Sequence, residues 1–120
     1  MRKTLKAVVL MVDSSILTSV GNDYGFDDGF YRQIEGLAVT DDVLIDISTS
    51  GNLTNVLNAL KAAHSIGVRT VGMTGRSPGR MDGFCDVMIP VPPDEVPHIQ
   101  ELHTAIGHII CDAVEKAYCA

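Results

Sequence analysis

The chain has 120 residues, a formal net charge of −6, and a 46% hydrophobic content. That length suits one domain, and that apolar share suits a globule burying roughly two-thirds of its unfolded surface rather than a disordered segment. The acidic balance excludes the electrostatic footprint of a nucleic-acid binder, and no apolar run approaches the ~20 residues needed to cross a bilayer.

Met1-Arg2-Lys3 leads into an apolar run that stops at Asp13, too short for the core of a secretory leader. Ala7–Met11 therefore reads as a buried strand. Asp13 or Ser14 caps a short helix through Val20, followed by the turn-rich Gly21-Asn22-Asp23-Tyr24-Gly25. Asp27 or Asp28 opens a second helix with Phe30, Ile34 and Leu37 on its apolar face. Val43–Ile47 is the next strand and Leu53–Ile66 the next helix, closed by Gly67 in a left-handed cap. Arg69–Met73 and Val87–Val91 are the last strands, separated by the loop Thr74-Gly75-Arg76-Ser77-Pro78-Gly79. Pro92-Pro93 ends the sheet, and a long helix runs from about Pro97 to Tyr118. Alternating strands and helices predict a three-layer α/β fold, with a parallel sheet covered by helices on both faces. Cys85, Cys111 and Cys119 lack metal-ligand spacing and cannot all pair, so they read as reduced thiols of a cytoplasmic protein.

The most informative stretch is Asp42-Val43-Leu44-Ile45-Asp46-Ile47-Ser48-Thr49-Ser50-Gly51-Asn52. A β-branched run enters a hydroxyl-rich loop, and Val56, Leu57, Leu60 and Ala63 then recur at helical spacing. Free N–H groups and the helix dipole make such a helix start an anion site, and Ser48, Thr49 and Ser50 add three hydroxyls. On spacing alone, hydroxyls that merely cap the helix are an equal reading. Ligands of such sheets bind beyond the carboxyl ends of the strands. There the loops at Asp13-Ser14-Ser15, Ser48–Asn52 and Thr74-Gly75 are expected to converge.

From Leu5 onward the chain resembles the sugar isomerase (SIS) domain family, and within it the phosphoheptose isomerases. The resemblance rests on Asp13-Ser14-Ser15-Ile16-Leu17-Thr18, Gly21-Asn22-Asp23-Tyr24-Gly25-Phe26, Ile47-Ser48-Thr49-Ser50-Gly51-Asn52, Gly72-Met73-Thr74-Gly75, and Ile99-Gln100-Glu101-Leu102-His103 with His108. It implies a flavodoxin- or Rossmann-like SIS fold, here a single partial domain over residues 1–120. The family's N-terminal helix pair, first strand and Gly-Asn-Gly-Gly-Ser loop are absent, as are the His and Glu that follow that loop as metal ligands. The absent Glu is also the family's catalytic base. Many relatives carry a serine where this chain has Leu53.

The resemblance implies roles residue by residue. Ser48, Thr49 and Ser50 hold the phosphate, while Asn22 and Asp23 contact the sugar, although Asn-Asp before Gly25 is also ordinary turn chemistry. Gln100 and His108 are substrate- and zinc-contacting positions, with His108 also an acid/base catalyst. With Thr104 they stand at i, i+4 and i+8 on one helical stripe, while Ile99, Leu102, Ile106, Ile109 and Ile110 read as core. His103 and Glu101 are expected to face solvent or a neighbouring subunit, and His64 and His98 carry no signal. The implied reaction is ketose–aldose isomerisation of sedoheptulose 7-phosphate through an enediol, in the route to lipopolysaccharide heptose. The alternative is a non-catalytic module that binds a phosphorylated sugar. A split enzyme and a purely structural interaction protein complete the readings. A missing first strand predicts a homo-oligomer, or a partner that supplies the N-terminal segment.

Overall fold

The computed structural model describes residues 2–10 and 13–119. Its centre is a three-stranded parallel sheet ordered β1 (Val43–Ile47), β2 (Arg69–Thr74), β3 (Val87–Pro90). In the register, Val43 faces Arg69 and Ile47 faces Met73, while Val71 faces Val87 and Thr74 faces Pro90. Four helices surround it: α1 (Ser14–Asp23), α2 (Gly29–Leu37), α3 (Thr54–Ile66) and α4 (Val96–Tyr118). The expected layered α/β fold with a parallel sheet is therefore present.

Local sequence accounts for the helix ends. The Asp13 carboxylate accepts from the Ser15 and Ile16 N–H groups at 2.8 and 3.4 Å and starts α1. Gly67, at φ 85°, stops α3 in the left-handed conformation, and the Val68 N–H returns to the Ala63 carbonyl at 2.9 Å. α3 is the core helix. Its Ala59, Ala62 and Ala63 are buried against Ile34 of α2 and Val68, and its Val56, Leu57 and Leu60 against Met81. Leu44 of β1 joins both clusters, so α3 covers one face of the sheet.

Several sequence expectations fail for one shared reason. Residues 7–10 form no strand; Val8 and Val9 are exposed, Val9 at 85%, and Met11 lies outside the described residues. Their apolar, β-branched pattern suits a strand, but no neighbouring strand completes their hydrogen bonds. Nor are both faces of the sheet covered. Val43, Ile45 and Ile47 of β1 and Val87 of β3 are exposed on the face away from α3. Leu37 of α2 is exposed as well. On α4 only Ile99 and His103 are buried, whereas Leu102 and Ile109, expected in the core, face solvent. Apolar periodicity marks which face wants burial but does not supply the layer that buries it. Residues 2–5 run beside the C-terminal half of α4, where Arg2 pairs with Glu115.

Asp46 sits on the α3 side of β1, opposite Gly72. A side chain at Gly72 would collide with Cys85 Sγ at 2.7 Å and Met88 Sδ at 2.8 Å, so this part of the sheet is close-packed. Burial raises the Asp46 carboxyl to about 7, and its Oδ2 has no hydrogen-bond partner among the described residues. Burial also lifts the Cys85 thiol to about 11, with Asp46 adding to the effect. A carboxyl held neutral in the fold binds its proton more tightly there than in the unfolded chain. Its contribution to stability is therefore full below the ordinary carboxylate range and is lost as pH rises through about 7. At roughly 1.4 kcal/mol per pKa unit the loss is on the order of a few kcal/mol. Asp46→Asn is expected to be more stable than the parent at pH 8 and to lose that advantage at pH 4, as read by urea unfolding at both values.

Candidate functional site

The hydroxyl loop between β1 and α3 is built by the sheet. Beyond the last paired residues the ladder continues: the Ser48 N–H donates to the Met73 carbonyl at 2.9 Å, and the Gly75 N–H to the Thr49 carbonyl at 3.1 Å. This brings the ends of β1 and β2 together as expected. The third expected loop gives no such ladder bond among the described residues: residues 2–10 form no strand, and Asp13 serves as the α1 cap.

Inside the loop, Ser48 is 4% exposed, and its Oγ accepts from the Gly51 N–H at 3.1 Å. Ser50 Oγ accepts from the Asn52 N–H at 3.3 Å. A hydroxyl that accepts keeps its own hydrogen to donate, so both serines retain an O–H for an anion. Thr49 is half-buried, and its hydroxyl has no protein partner among the described residues. At the start of α3, Leu53 is the N-cap and offers no side-chain cap. Asn55 Oδ1 accepts from the Val56 N–H at 2.9 Å. The Thr54 and Asn55 N–H groups of the first turn thus stand open beside three hydroxyl donors, at the positive end of the helix dipole.

A second loop locks the first. Gly51 adopts φ 67°, and a side chain there would lie 1.9 Å from the Pro78 carbonyl oxygen. Gly79 adopts φ 61°, and a side chain there would lie 2.6 Å from both the Ser50 carbonyl oxygen and Asn52 Oδ1. The Met81 N–H donates to the Gly51 carbonyl at 3.1 Å, and the Arg80 N–H to Asn52 Oδ1 at 2.9 Å. The pairing of Gly51-Asn52 with Gly79-Arg80 escapes sequence reading, because only the fold shows that two glycine turns meet. Arg76, in the same second loop, pairs with Asp94 at 3.0 Å on the surface.

The remaining candidates are spread along two helices. Asn22 and Asp23 are exposed in the last turn of α1, which runs three residues beyond the expected Val20, so they form helix rather than a separate turn. α1 reaches the site indirectly. Asn58 of α3 donates to the Asp27 carbonyl at 3.2 Å and to Asp28 Oδ1 at 3.3 Å, anchoring the turn between α1 and α2. Gln100 and His108 are exposed on α4 with Thr104 between them, whose hydroxyl bonds the Gln100 carbonyl at 3.0 Å. No described hydrogen bond or ion pair joins either side chain to the hydroxyl loop. Among the described residues, no group of three His, Cys, Asp and Glu is placed to hold a metal. Gln100 and His108 alone fall short of the three or four protein ligands of a zinc centre.

His103 departs from expectation. It does not face solvent but is 5% exposed, one helical turn after buried Ile99 and on the same face. Its Nε2 lies 2.9 Å from the Thr74 carbonyl oxygen, at the edge that carries the hydroxyl loop. Glu101 is exposed as expected.

Known proteins share this arrangement. Residues 1–75 match the SIS domain family. The chain is 52% identical over 119 residues to a phosphoheptose isomerase of Pelobacter propionicus, covering 99% of this chain and 63% of that protein. It is 49% identical over 115 residues to one of Aliarcobacter butzleri, covering 96% of this chain and 61% of that protein. The chain thus spans about three-fifths of the length of the curated relatives it matches. The structure of phosphoheptose isomerase GmhA from Neisseria gonorrhoeae superposes with a TM-score of 0.83 at 42% identity, over 86% of this chain and 59% of that one. A phosphoheptose isomerase from Francisella tularensis gives 0.84 at 36% identity, over 87% of this chain and 56% of that one. The parallel sheet, the loop at its carboxyl edge and these likenesses agree: the chain belongs to the SIS domain family.

Proposed function

We propose that this chain binds the phosphate of a sugar phosphate at Ser48–Asn52 and the start of α3, as the phosphate-holding part of a phosphoheptose isomerase. The observation that carries the reading is the loop itself: three hydroxyl donors and open helix N–H groups, fixed by the ladder bonds Ser48–Met73 and Gly75–Thr49. The identity of about half its residues with phosphoheptose isomerases supports the substrate class. The specific conversion proposed is sedoheptulose 7-phosphate to D-glycero-D-manno-heptose 7-phosphate, in the cytoplasm and toward lipopolysaccharide.

Such a conversion moves a proton between adjacent carbons through an enediol and needs a base, an acid and stabilisation of the oxyanion. In this reading the loop fixes the phosphate end, Asn22, Asp23 and Gln100 orient the sugar hydroxyls, and His108 supplies one half of the acid/base pair. No second acid/base residue is evident among the described residues, and zinc needs donors beyond Gln100 and His108. The isolated chain is therefore expected to bind sugar phosphate with little or no turnover. Donors from a second copy or a partner segment would complete the site, and the bare row Val43, Ile45, Ile47 and Val87 is the surface such a layer covers.

Four outcomes test this. Thr49→Val removes a hydroxyl with no described protein partner, so it leaves stability unchanged and weakens inorganic phosphate binding by about tenfold or more, the worth of one bond to a charged group. Leu53→Ser supplies the missing cap and stabilises α3 by about 1 kcal/mol; calorimetric titration reads the first variant and thermal melts read both. Proton NMR of sedoheptulose 7-phosphate with the chain is expected to show line broadening without conversion, with or without zinc. Conversion lost on His108→Ala would instead mean a site completed by assembly, and absence of both signals would remove the phosphate reading. Sedimentation at micromolar concentration is expected to show an oligomer, and a clean monomer would refute assembly through the bare face.

A further inference from the structure

We propose that His103 is a positioning residue that sets the Thr74–Gly75 peptide and, through it, the shape of the Ser48–Asn52 loop. The proposal deepens the phosphate reading of that loop and rests on it for its functional meaning.

One planar unit carries the argument. The Thr74 carbonyl and the Gly75 N–H belong to the same peptide group, whose atoms move together because rotation about the C–N bond is barred. On one side, the carbonyl accepts from His103 Nε2 at 2.9 Å and from the Val91 N–H at 3.1 Å. On the other, the N–H donates to the Thr49 carbonyl at 3.1 Å. Tilting the plane to lose the first bond therefore misdirects the second, which holds the hydroxyl loop. The space is tight enough to transmit this. Thr74 is fully buried, and a side chain on Gly75 would meet Ile99 Cδ1 at 2.7 Å and the Thr49 oxygen at 2.9 Å.

The ring chemistry is equally constrained. A carbonyl only accepts, so Nε2 must carry hydrogen, and the neutral ring then leaves Nδ1 as a bare acceptor. That Nδ1 is buried with no hydrogen-bond partner among the described residues. An apolar residue beside Ile99 would fill the place without an unmet acceptor. What the imidazole adds is its one bond to Thr74. Neighbouring Gln100 lies about 60° around α4 from His103 at 100° per residue, so the same bond also fixes where the start of α4 faces the loop.

The test uses the whole chain. Long-range nitrogen NMR of the imidazole is expected to show the Nε2–H tautomer. His103→Leu is expected to speed Gly75 amide exchange by about tenfold and to weaken inorganic phosphate binding in parallel, while His103→Gln, which keeps a donor, restores both. A residue that merely filled space would give the reverse order, with leucine tolerated and glutamine disruptive. An Nδ1–H tautomer, or unchanged Gly75 exchange in His103→Leu, would overturn the proposal. Should the leucine variant fail to fold, the parent tautomer and Gly75 exchange in His103→Gln decide it. If the parent chain binds no phosphate while the exchange order holds, the phosphate reading falls and the positioning role stands.

Discussion

The ladder between β1 and β2 does not stop where the strands stop. Ser48 donates to Met73, and Gly75 donates to Thr49, so the backbone of the hydroxyl loop is held by the pattern that holds the sheet. The rest of the site depends on this continuation. It delivers the chain to the start of α3 at a fixed height above the sheet and presents three hydroxyls there. The Thr74 carbonyl remains within reach of α4. Side chains then refine the loop from within, with Ser48 and Ser50 accepting from Gly51 and Asn52. A loop of this kind takes its precision from the rigid element that carries it.

Much of this was legible because it is local. The run Val43–Ile47, the helical spacing of Val56, Leu57 and Leu60, and the stop at Gly67 are each decided by neighbours within a few residues. The hydroxyl loop was legible for the same reason. What escaped depends on partners distant in sequence. The Val8-Val9 segment has the composition of a strand, yet strand formation needs a second backbone alongside. Of the apolar positions of α4, Ile99 is buried as its spacing implies, whereas Leu102 and Ile109 are exposed. His103 reads as facing solvent or a neighbouring subunit, because its burial depends on which face of α4 meets the end of β2. Asp46 gave no signal at all, since an acid in a strand looks solvated until the helix above it is placed.

The two faces of the sheet differ in kind. On the α3 side, buried residues are packed closely enough that Gly72 has no room for a methyl group. On the other side, β-branched residues meet water, and β1 is an unpaired edge. An open edge beside an apolar face invites further strand or helix packing, whether productive or not. The site lies at the carboxyl end of this asymmetric sheet. The hydroxyl loop is built on the ordered side, whereas Gln100 and His108 are exposed on α4, of which only Ile99 and His103 are buried. The loop and the α4 positions are thus supported to different degrees within one chain.

Ala59, Ala62 and Ala63 have a consequence beyond core packing. Alanine has no rotamers to freeze, so the α3 side of this contact is made of methyl groups alone, and Ile34 of α2 packs directly onto them. The α1 layer follows α2 through the anchored turn at Asp27-Asp28, and Asn22 and Asp23 ride at its end. A larger residue at any of the three alanines would lift this layer outward, and Asn22 and Asp23 with it, without touching either. The height of the α1 end above the core is therefore fixed by the small residues of α3 that face α2, and natural or engineered changes in it are to be sought there.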